Sequence, residues 1–148
     1  MKGELIKKSI DINAPKDKVW NVLVDNERNR IWYAEFSQGT QTDTDWNVGS
    51  KASFTDATGN GLLAKVAVNK PHEMLSVTYE GMVTAGQEDR ESDMAREMQG
   101  GYETYWLKEQ DGSTRLEIEC TMAPEYLDSM SEAWEKALLK VRELAENN

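Results

Sequence analysis

The sequence has very few of the residue types that build metal centres and covalent cross-links. It contains one cysteine, Cys120, and one histidine, His72, among 148 residues. One cysteine cannot form an internal disulfide, and this pair cannot supply a His/Cys zinc cluster or most nucleophile–histidine hydrolase sites. We therefore predict no cofactor and no metal, and a reducing compartment, with the cytoplasm as the default location.

Long apolar runs and an excess of positive charge are also missing. No stretch approaches the roughly 20 apolar residues of a membrane span, and the charged first residues do not resemble a signal peptide. The 17 Lys and Arg against 27 Asp and Glu give a net charge of −10. An acidic chain is repelled by polyphosphates and by anionic lipid head groups. We therefore expect no nucleic-acid and no membrane partner, but one that is neutral, apolar or cationic.

The sequence does contain the patterns of a single α+β domain spanning residues 1–148. Residues 5–13 alternate as a strand, and the segment beginning at Asn13 predicts a helix start with a capping residue and an early proline. Asp25 offers the cap of a second short helix that ends near Tyr33. Period-two alternation then predicts antiparallel strands at residues 40–45, 50–55, 61–69, 74–80, 102–109 and 114–122.

The chain ends in an amphipathic helix predicted over residues 125–146. Its apolar residues recur at spacings of three and four: Leu127, Met130, Trp134, Leu138, Val141 and Ala145. Charged residues occupy the opposite side, so one face must pack along most of a sheet. Before it, residues 88–99 are predicted to hold a short amphipathic helix, which is either a lid with Met94 and Met98 facing inward or a solvated loop.

This order of elements resembles the helix-grip fold, in which a curved antiparallel sheet wraps the last helix. Residues 12–20, 48–50, 71–75 and 111–116 resemble the opening, the strand connections and the last hairpin of the START-like superfamily. Residues 103–109 and 134–140 are similar to late segments of its branch named after the activator of the heat-shock chaperone ATPase, in bacterial stand-alone relatives. The resemblance covers nearly the whole chain. It implies a cavity, between the sheet and the long helix, that takes a mostly apolar small molecule.

We predict that the wall of this cavity combines inward residues of the sheet, the 88–99 segment and the inner stripe of the last helix. The candidate ligand-binding residues are Phe54, Leu63, Tyr79, Met94, Met98, Tyr105, Ile118, Tyr126, Met130, Trp134 and Leu138. Each of them alone is also explained as packed core. The set favours a pocket, because five Trp and five Tyr supply apolar walls with polar tips that orient a ligand.

Two further residues are interpreted without a catalytic role. His72 follows a proline in a predicted turn, and a turn histidine of this kind usually lies at the surface. Cys120 lies among apolar neighbours on a strand, so we expect a buried, unreactive thiol with a raised pKa.

Three functions stay open at this point. The first is binding of a lipid-like or aromatic small molecule without chemistry, which we rank highest. The second is a cyclase- or dehydratase-type enzyme that uses the same cavity, with Glu103 and Tyr105 as weak catalytic candidates because they share a strand parity with Leu107. Glu119 is expected on the solvent-exposed face of the sheet. The third is regulation of a chaperone through the acidic surface, by a monomer or weak homodimer.

Overall fold

The computed structural model describes residues 3–147. Its strands are β1 (Glu4–Ile12), β2 (Gln41–Asp43), β3 (Lys51–Thr55), β4 (Gly61–Lys70), β5 (Met74–Thr84), β6 (Gln87–Asp89), β7 (Tyr102–Gln110) and β8 (Ser113–Met122). Its helices are α1 (Lys16–Val24), α2 (Asn26–Tyr33), α3 (Asp93–Met98) and α4 (Leu127–Glu146), and a 3₁₀ turn at Pro124–Tyr126 precedes α4. The chain is therefore an α+β protein with two short helices after the first strand, as the sequence predicts.

All eight strands form one curved antiparallel sheet. The order is β1-β8-β7-β5-β4-β3-β2, and β6 pairs with the end of β5. The strand that opens the chain thus lies beside the strand that precedes the last helix, with Ile6 opposite Cys120 and Ile10 opposite Leu116. This closing pair places the N-terminal segment next to α4.

The helix starts differ in how they are capped. Asp25 caps α2 as predicted, because its carboxylate accepts a hydrogen bond of 2.9 Å from the backbone N–H of Glu27. The predicted cap of α1 is wrong: that helix begins at Lys16 with Pro15 at the N-cap position and no side-chain cap. Asn13 instead donates its backbone N–H to the carboxylate of Glu146 at 2.8 Å. This bond ties the β1–α1 junction to the end of α4.

The last helix is the predicted amphipathic element. Its 20 residues correspond to a length of about 30 Å. The buried side chains are Trp134, Ala137, Leu138, Val141 and Ala145. The helix packs against β1, α1 and α2, and Lys8 of β1 donates to the carboxylate of Glu135 at 3.0 Å. The apolar stripe of α4 is therefore covered by the sheet and by both short helices.

The segment before β7 contains one element that the sequence pattern does not predict. The short helix α3 is present, and Ser92 caps it by accepting from the N–H of Ala95 at 3.2 Å. Ahead of it, β6 pairs with β5, which extends four residues beyond its predicted end. The two backbones approach so closely that a Cβ at Gly81 would lie 2.3 Å from the carbonyl oxygen of Asp89. Only glycine fits at that position without displacing β6.

No helix within residues 3–147 is both long enough and apolar enough to cross a membrane.

Candidate functional site

A carboxyl group surrounded by three tyrosine hydroxyls lies on the inner face of the sheet. Glu103 of β7 is only 8% exposed. The hydroxyl of Tyr33 donates to Oε2 of Glu103 at 3.0 Å, and that of Tyr79 donates to Oε1 at 3.1 Å. Tyr105 also donates to Oε2, and its hydroxyl lies 3.3 Å from the hydroxyl of Tyr33. One carboxyl group thus receives three hydrogen bonds from side chains.

Strand alternation brings most of this cluster together. Residues 103, 105 and 107 of β7 share the inward face, as predicted from parity, and all three are buried. The register pairs Val77 of β5 with Glu103, so Tyr79 lies two residues further along the neighbouring strand.

The end of α2 supplies the third tyrosine. Asn29, Trp32 and Tyr33 form the buried face of this helix at spacings of three and four. The side chain of Asn29 donates to the carbonyl of Leu23 at 3.1 Å, and the indole of Trp32 donates to the carbonyl of Val22 at 3.0 Å. Tyr33 stacks on Trp32 with ring centroids 4.0 Å apart. These contacts fix the helix so that the hydroxyl of Tyr33 reaches the sheet.

Burial dominates the electrostatics of the cluster. It raises the pKa of Glu103, and the three donated hydrogen bonds oppose that rise because they stabilise the carboxylate. Burial, followed by the negative charge of Glu103, raises the pKa of each of the three tyrosines well above 10.0. The phenols therefore remain protonated and act as donors.

Cys120 lies on the strand beside this cluster, directly opposite Glu103. Burial, with a smaller contribution from the negative charge of Glu103, raises the pKa of its thiol to about 12, while a hydrogen bond with Trp134 acts in the other direction. The predicted buried thiol with a raised pKa is confirmed. Glu119 lies half-buried on the other face and accepts hydrogen bonding from Tyr102. His72 is exposed, as predicted for its turn.

Glu103 borders a cavity of about 460 Å³. The cavity is bounded by the inner face of the sheet, by α3, by the segment after α2 and by the N-terminal half of α4. Methionine is prominent in its wall, which contains five of the seven methionines of the chain: Met82, Met94, Met98, Met122 and Met130. Six aromatic side chains complete the apolar part of the wall: Tyr33, Phe36, Phe54, Tyr79, Tyr126 and Trp134.

Three further carboxyl groups line the same cavity, Asp56, Glu97 and Glu125. Asp56 accepts hydrogen bonds from Thr58 and Ser37, which lower its pKa to about 2, so its side chain is ionised. Among the described residues, no Lys, Arg or His lines the cavity. Within residues 3–147, no three side chains of His, Cys, Asp or Glu are grouped as metal ligands would be.

Most of the candidate ligand-binding residues lie on this wall. Seven of the eleven line the cavity: Phe54, Tyr79, Met94, Met98, Tyr126, Met130 and Trp134. The other four are buried but do not line it: Leu63, Tyr105, Ile118 and Leu138. Leu62 lines the cavity instead of Leu63, because adjacent strand residues face opposite sides. Leu138 lies one helical turn beyond Trp134. Ligand binding by the seven remains a prediction.

Of the two weak catalytic candidates, Glu103 lines the cavity directly, and Tyr105 lies behind the wall in contact with Glu103 and Tyr33. Sequence reasoning missed Tyr33, Phe36, Met82 and Met122 as wall residues. The sequence pattern indicates two of them. Tyr33 follows Asn29 by four residues and so lies on the same helical face, and Met122 points to the same side of its strand as Cys120. Phe36 follows the end of α2, and no periodic pattern extends to it.

The curved antiparallel sheet, the long C-terminal helix and the two short helices after the first strand define a helix-grip protein. The chain belongs to the family described as Activator of Hsp90 ATPase homolog 1-like protein, whose family model matches residues 13–146. No curated protein sequence matches the chain.

Solved structures share this fold at low sequence identity. Protein MLL2253 from Mesorhizobium loti has a TM-score of 0.77 at 17% identity, and the match covers 98% of each chain. The Aha1 dimer from Colwellia psychrerythraea has a TM-score of 0.74 at 16% identity, covering 97% of this chain and 96% of that one. CalU16 from Micromonospora echinospora has a TM-score of 0.69 at 20% identity, covering 99% and 68%. At these identities the likeness concerns the fold alone.

Proposed function

We propose that the protein binds a small, mostly apolar molecule, lipid-like or aromatic, in the cavity between the sheet and α4. The observation that carries this proposal is the wall itself, in which five methionines and six aromatic rings surround about 460 Å³. That volume is within the range of small-molecule pockets, which are typically apolar with a few polar groups that orient the ligand. Methionine side chains adapt to ligand shape, so such a wall suits a molecule of variable outline.

The helix α3 serves in this proposal as one movable wall. It supplies Met94, Glu97 and Met98 to the cavity, and Met94 is 55% exposed. Ala95 is fully buried, and the side chain of Gln99 donates to the carbonyls of Glu80 and Arg90 at 3.1 and 2.9 Å. For α3 to move away from the cavity, the two hydrogen bonds of Gln99 would have to break, while β6 would stay paired with β5. If α3 moves as a lid, the ligand enters the cavity from the α3 side.

Binding of the neutral fluorescent probe N-phenyl-1-naphthylamine tests the proposal. The wild type should bind it saturably, and Met98→Trp should reduce the affinity because the larger ring fills part of the cavity. Met74→Trp is the matched control, since Met74 is also half-buried but lies outside the cavity wall. Absence of saturable binding, or equal loss in both variants, would contradict a ligand site in this cavity.

A second candidate function, acid–base chemistry on a cavity ligand, is supported by one observation. Glu103 combines a raised pKa with a position on the cavity wall, and a buried carboxyl group of this kind is suited to general acid or base catalysis. Exchange of the α-protons of 2-tetralone in D₂O, followed by NMR, tests it. The wild type should accelerate exchange over buffer and Glu103→Gln should not. Glu117→Gln on the outer face, paired with Lys108 at 2.8 Å, is the control that should keep the acceleration.

Regulation of a chaperone and formation of a weak homodimer are the remaining proposals. The family description, which names an activator of Hsp90 ATPase, supports the first, and the dimeric Aha1 from Colwellia psychrerythraea supports the second. Co-purification with the chaperone, lost at moderate salt, would favour an electrostatic partner interaction. Light scattering over a concentration series would measure self-association directly.

A further inference from the structure

The ionisable side chains on the cavity wall, apart from the tyrosines and Cys120, are all acidic. Glu103 lies in the wall, Asp56, Glu97 and Glu125 accompany it, and no cationic side chain among the described residues lines the cavity. We propose that the molecule bound there is a hydrophobic cation, a primary ammonium on an aromatic or alkyl skeleton, with its charged group on Glu103. This rests on the proposed binding function and specifies the chemical class of the ligand.

The hydrogen bonds already formed in the cluster favour a ligand group that donates hydrogen bonds over one that accepts them. Each of the three phenols, Tyr33, Tyr79 and Tyr105, uses its single hydroxyl proton on Glu103. When Glu103 is ionised, the three phenols therefore have no proton left to donate to a ligand. Among residues 3–147, Oε2 of Glu103 receives two hydrogen bonds and Oε1 receives one, from Tyr79, so Oε1 keeps an acceptor position. An ammonium group carries donors only and matches this arrangement.

Charge balance gives the second argument. The titratable groups of the described residues that face Glu103 from α2, β5, β7 and β8 are Tyr33, Tyr79, Tyr105 and Cys120, and none of these four carries a positive charge. A buried carboxylate without a counter-ion is costly, and a cation placed beside it recovers part of that cost. A ligand carboxylate would instead meet four acidic groups and, among the described residues, no cationic side chain. Fatty acids and other anionic lipids are therefore disfavoured occupants.

The rest of the wall suits the same ligand class. Phe54 and Tyr33 line the cavity with ring centroids 5.3 Å apart, and Phe36 packs edge-on against Trp134 at 4.8 Å. Aromatic faces attract cations and also cover an apolar skeleton. Glu97 and Glu125 are exposed, so their charges are available to attract a cation from solvent.

Three probes with the same ring system and different charge test the inference. They are 1-naphthylmethylamine, 1-naphthalenemethanol and 1-naphthoate, titrated into the wild type by calorimetry at neutral pH. We expect the amine to bind about tenfold to a hundredfold more tightly than the alcohol, the equivalent of one hydrogen bond to a charged group, and the acid most weakly. This comparison needs no variant and is unaffected by any folding defect.

The variant Glu103→Gln then tests whether the preference for the amine depends on the Glu103 side chain. In this variant the ratio of amine affinity to alcohol affinity should fall to about one. Glu117→Gln should retain that preference, because Glu117 lies on the outer face beside Lys108. Equal or tighter binding of the alcohol or the acid by the wild type, or an amine preference that survives in Glu103→Gln, would overturn the inference and leave the binding function standing. Failure of all three probes to bind would overturn both.

Discussion

Removing the hydroxyl of Tyr79 should destabilise the protein more than removing that of Tyr33. The two tyrosines donate to different oxygens of the same buried carboxyl group, Tyr79 to Oε1 and Tyr33 to Oε2. In Tyr79→Phe, Oε1 loses its side-chain donor. In Tyr33→Phe, Oε2 still receives the hydrogen bond of Tyr105. The rings remain in place in both variants, so the comparison isolates the hydroxyl groups.

The expected loss of stability follows from the free-energy cost of leaving a buried charged group with too few hydrogen bonds. A hydrogen bond to a charged group contributes about 1.5–3 kcal/mol, and an ordinary one about 1 kcal/mol. We therefore expect the free energy of unfolding to fall by about 2 kcal/mol in Tyr79→Phe at neutral pH. In Tyr33→Phe the loss should be only about 1 kcal/mol, because Oε2 keeps the hydrogen bond from Tyr105. Urea unfolding followed by tryptophan fluorescence measures both values, and an unchanged m-value would exclude a change in the compactness of either state.

The same pair of variants has a pH signature. Once Glu103 is protonated at low pH it is neutral, and the bond from Tyr79 becomes an ordinary one. The penalty of Tyr79→Phe should therefore shrink toward that of Tyr33→Phe as the pH falls. A Tyr33→Phe penalty as large as that of Tyr79→Phe at neutral pH, or a Tyr79→Phe penalty that does not change with pH, would refute the assignment of these donors to an ionised Glu103.

Three shorter predictions use other parts of the structure. Because burial raises the pKa of native Glu103 above its ordinary 4.5, its stabilising contribution is complete below 4.5 and is lost as pH rises through the native pKa. Glu103→Gln, which does not titrate, should therefore gain stability relative to wild type as the pH rises through that range in urea titrations. Cys120, with its thiol pKa raised to about 12, should react with a thiol reagent at mildly alkaline pH only after urea unfolds the chain, and fast labelling of the native protein would contradict its burial. Gly81→Ala should displace β6, since its Cβ would lie 2.3 Å from the carbonyl oxygen of Asp89; faster amide exchange in β6, with β1 unaffected, is the expected readout.

Element type and order could be predicted from the sequence because long periodic segments carry them. The alternation of Ile6, Ile10 and Ile12, the cap at Asp25 and the apolar stripe of α4 each determine one element locally. The hairpin of β5 and β6 could not be predicted in this way. Its turn has Ala85 at φ 51° and Gly86 at φ 81°, where an asparagine or aspartate normally precedes the glycine. The three residues of β6 are polar and show no alternation.

The site was predictable only in part for a similar reason. Parity places Glu103 and Tyr105 on the inner face, and helical spacing places Met130 and Trp134 on the inner stripe. The contact between Tyr33 and Glu103 joins residues 70 positions apart, and it depends on how α2 crosses the sheet. No local pattern encodes that crossing. The orientation of β4, which exposes Leu62 and not Leu63 to the cavity, likewise depends on tertiary packing, with a register shift directly after Leu63.

The bond between the backbone N–H of Asn13 and the carboxylate of Glu146 links the far end of α4 to the first strand. The ion pair of Lys8 and Glu135 holds the middle of the same helix, next to Trp134, and Met130 and Trp134 border the cavity from its N-terminal half. The width of the cavity therefore depends on the angle of a helix that is tied to β1 at its middle and to the β1–α1 junction at its C-terminal end. A substitution or fusion at Glu146, about 18 Å along the helix axis from Trp134, is expected to change the width of the cavity without touching its wall.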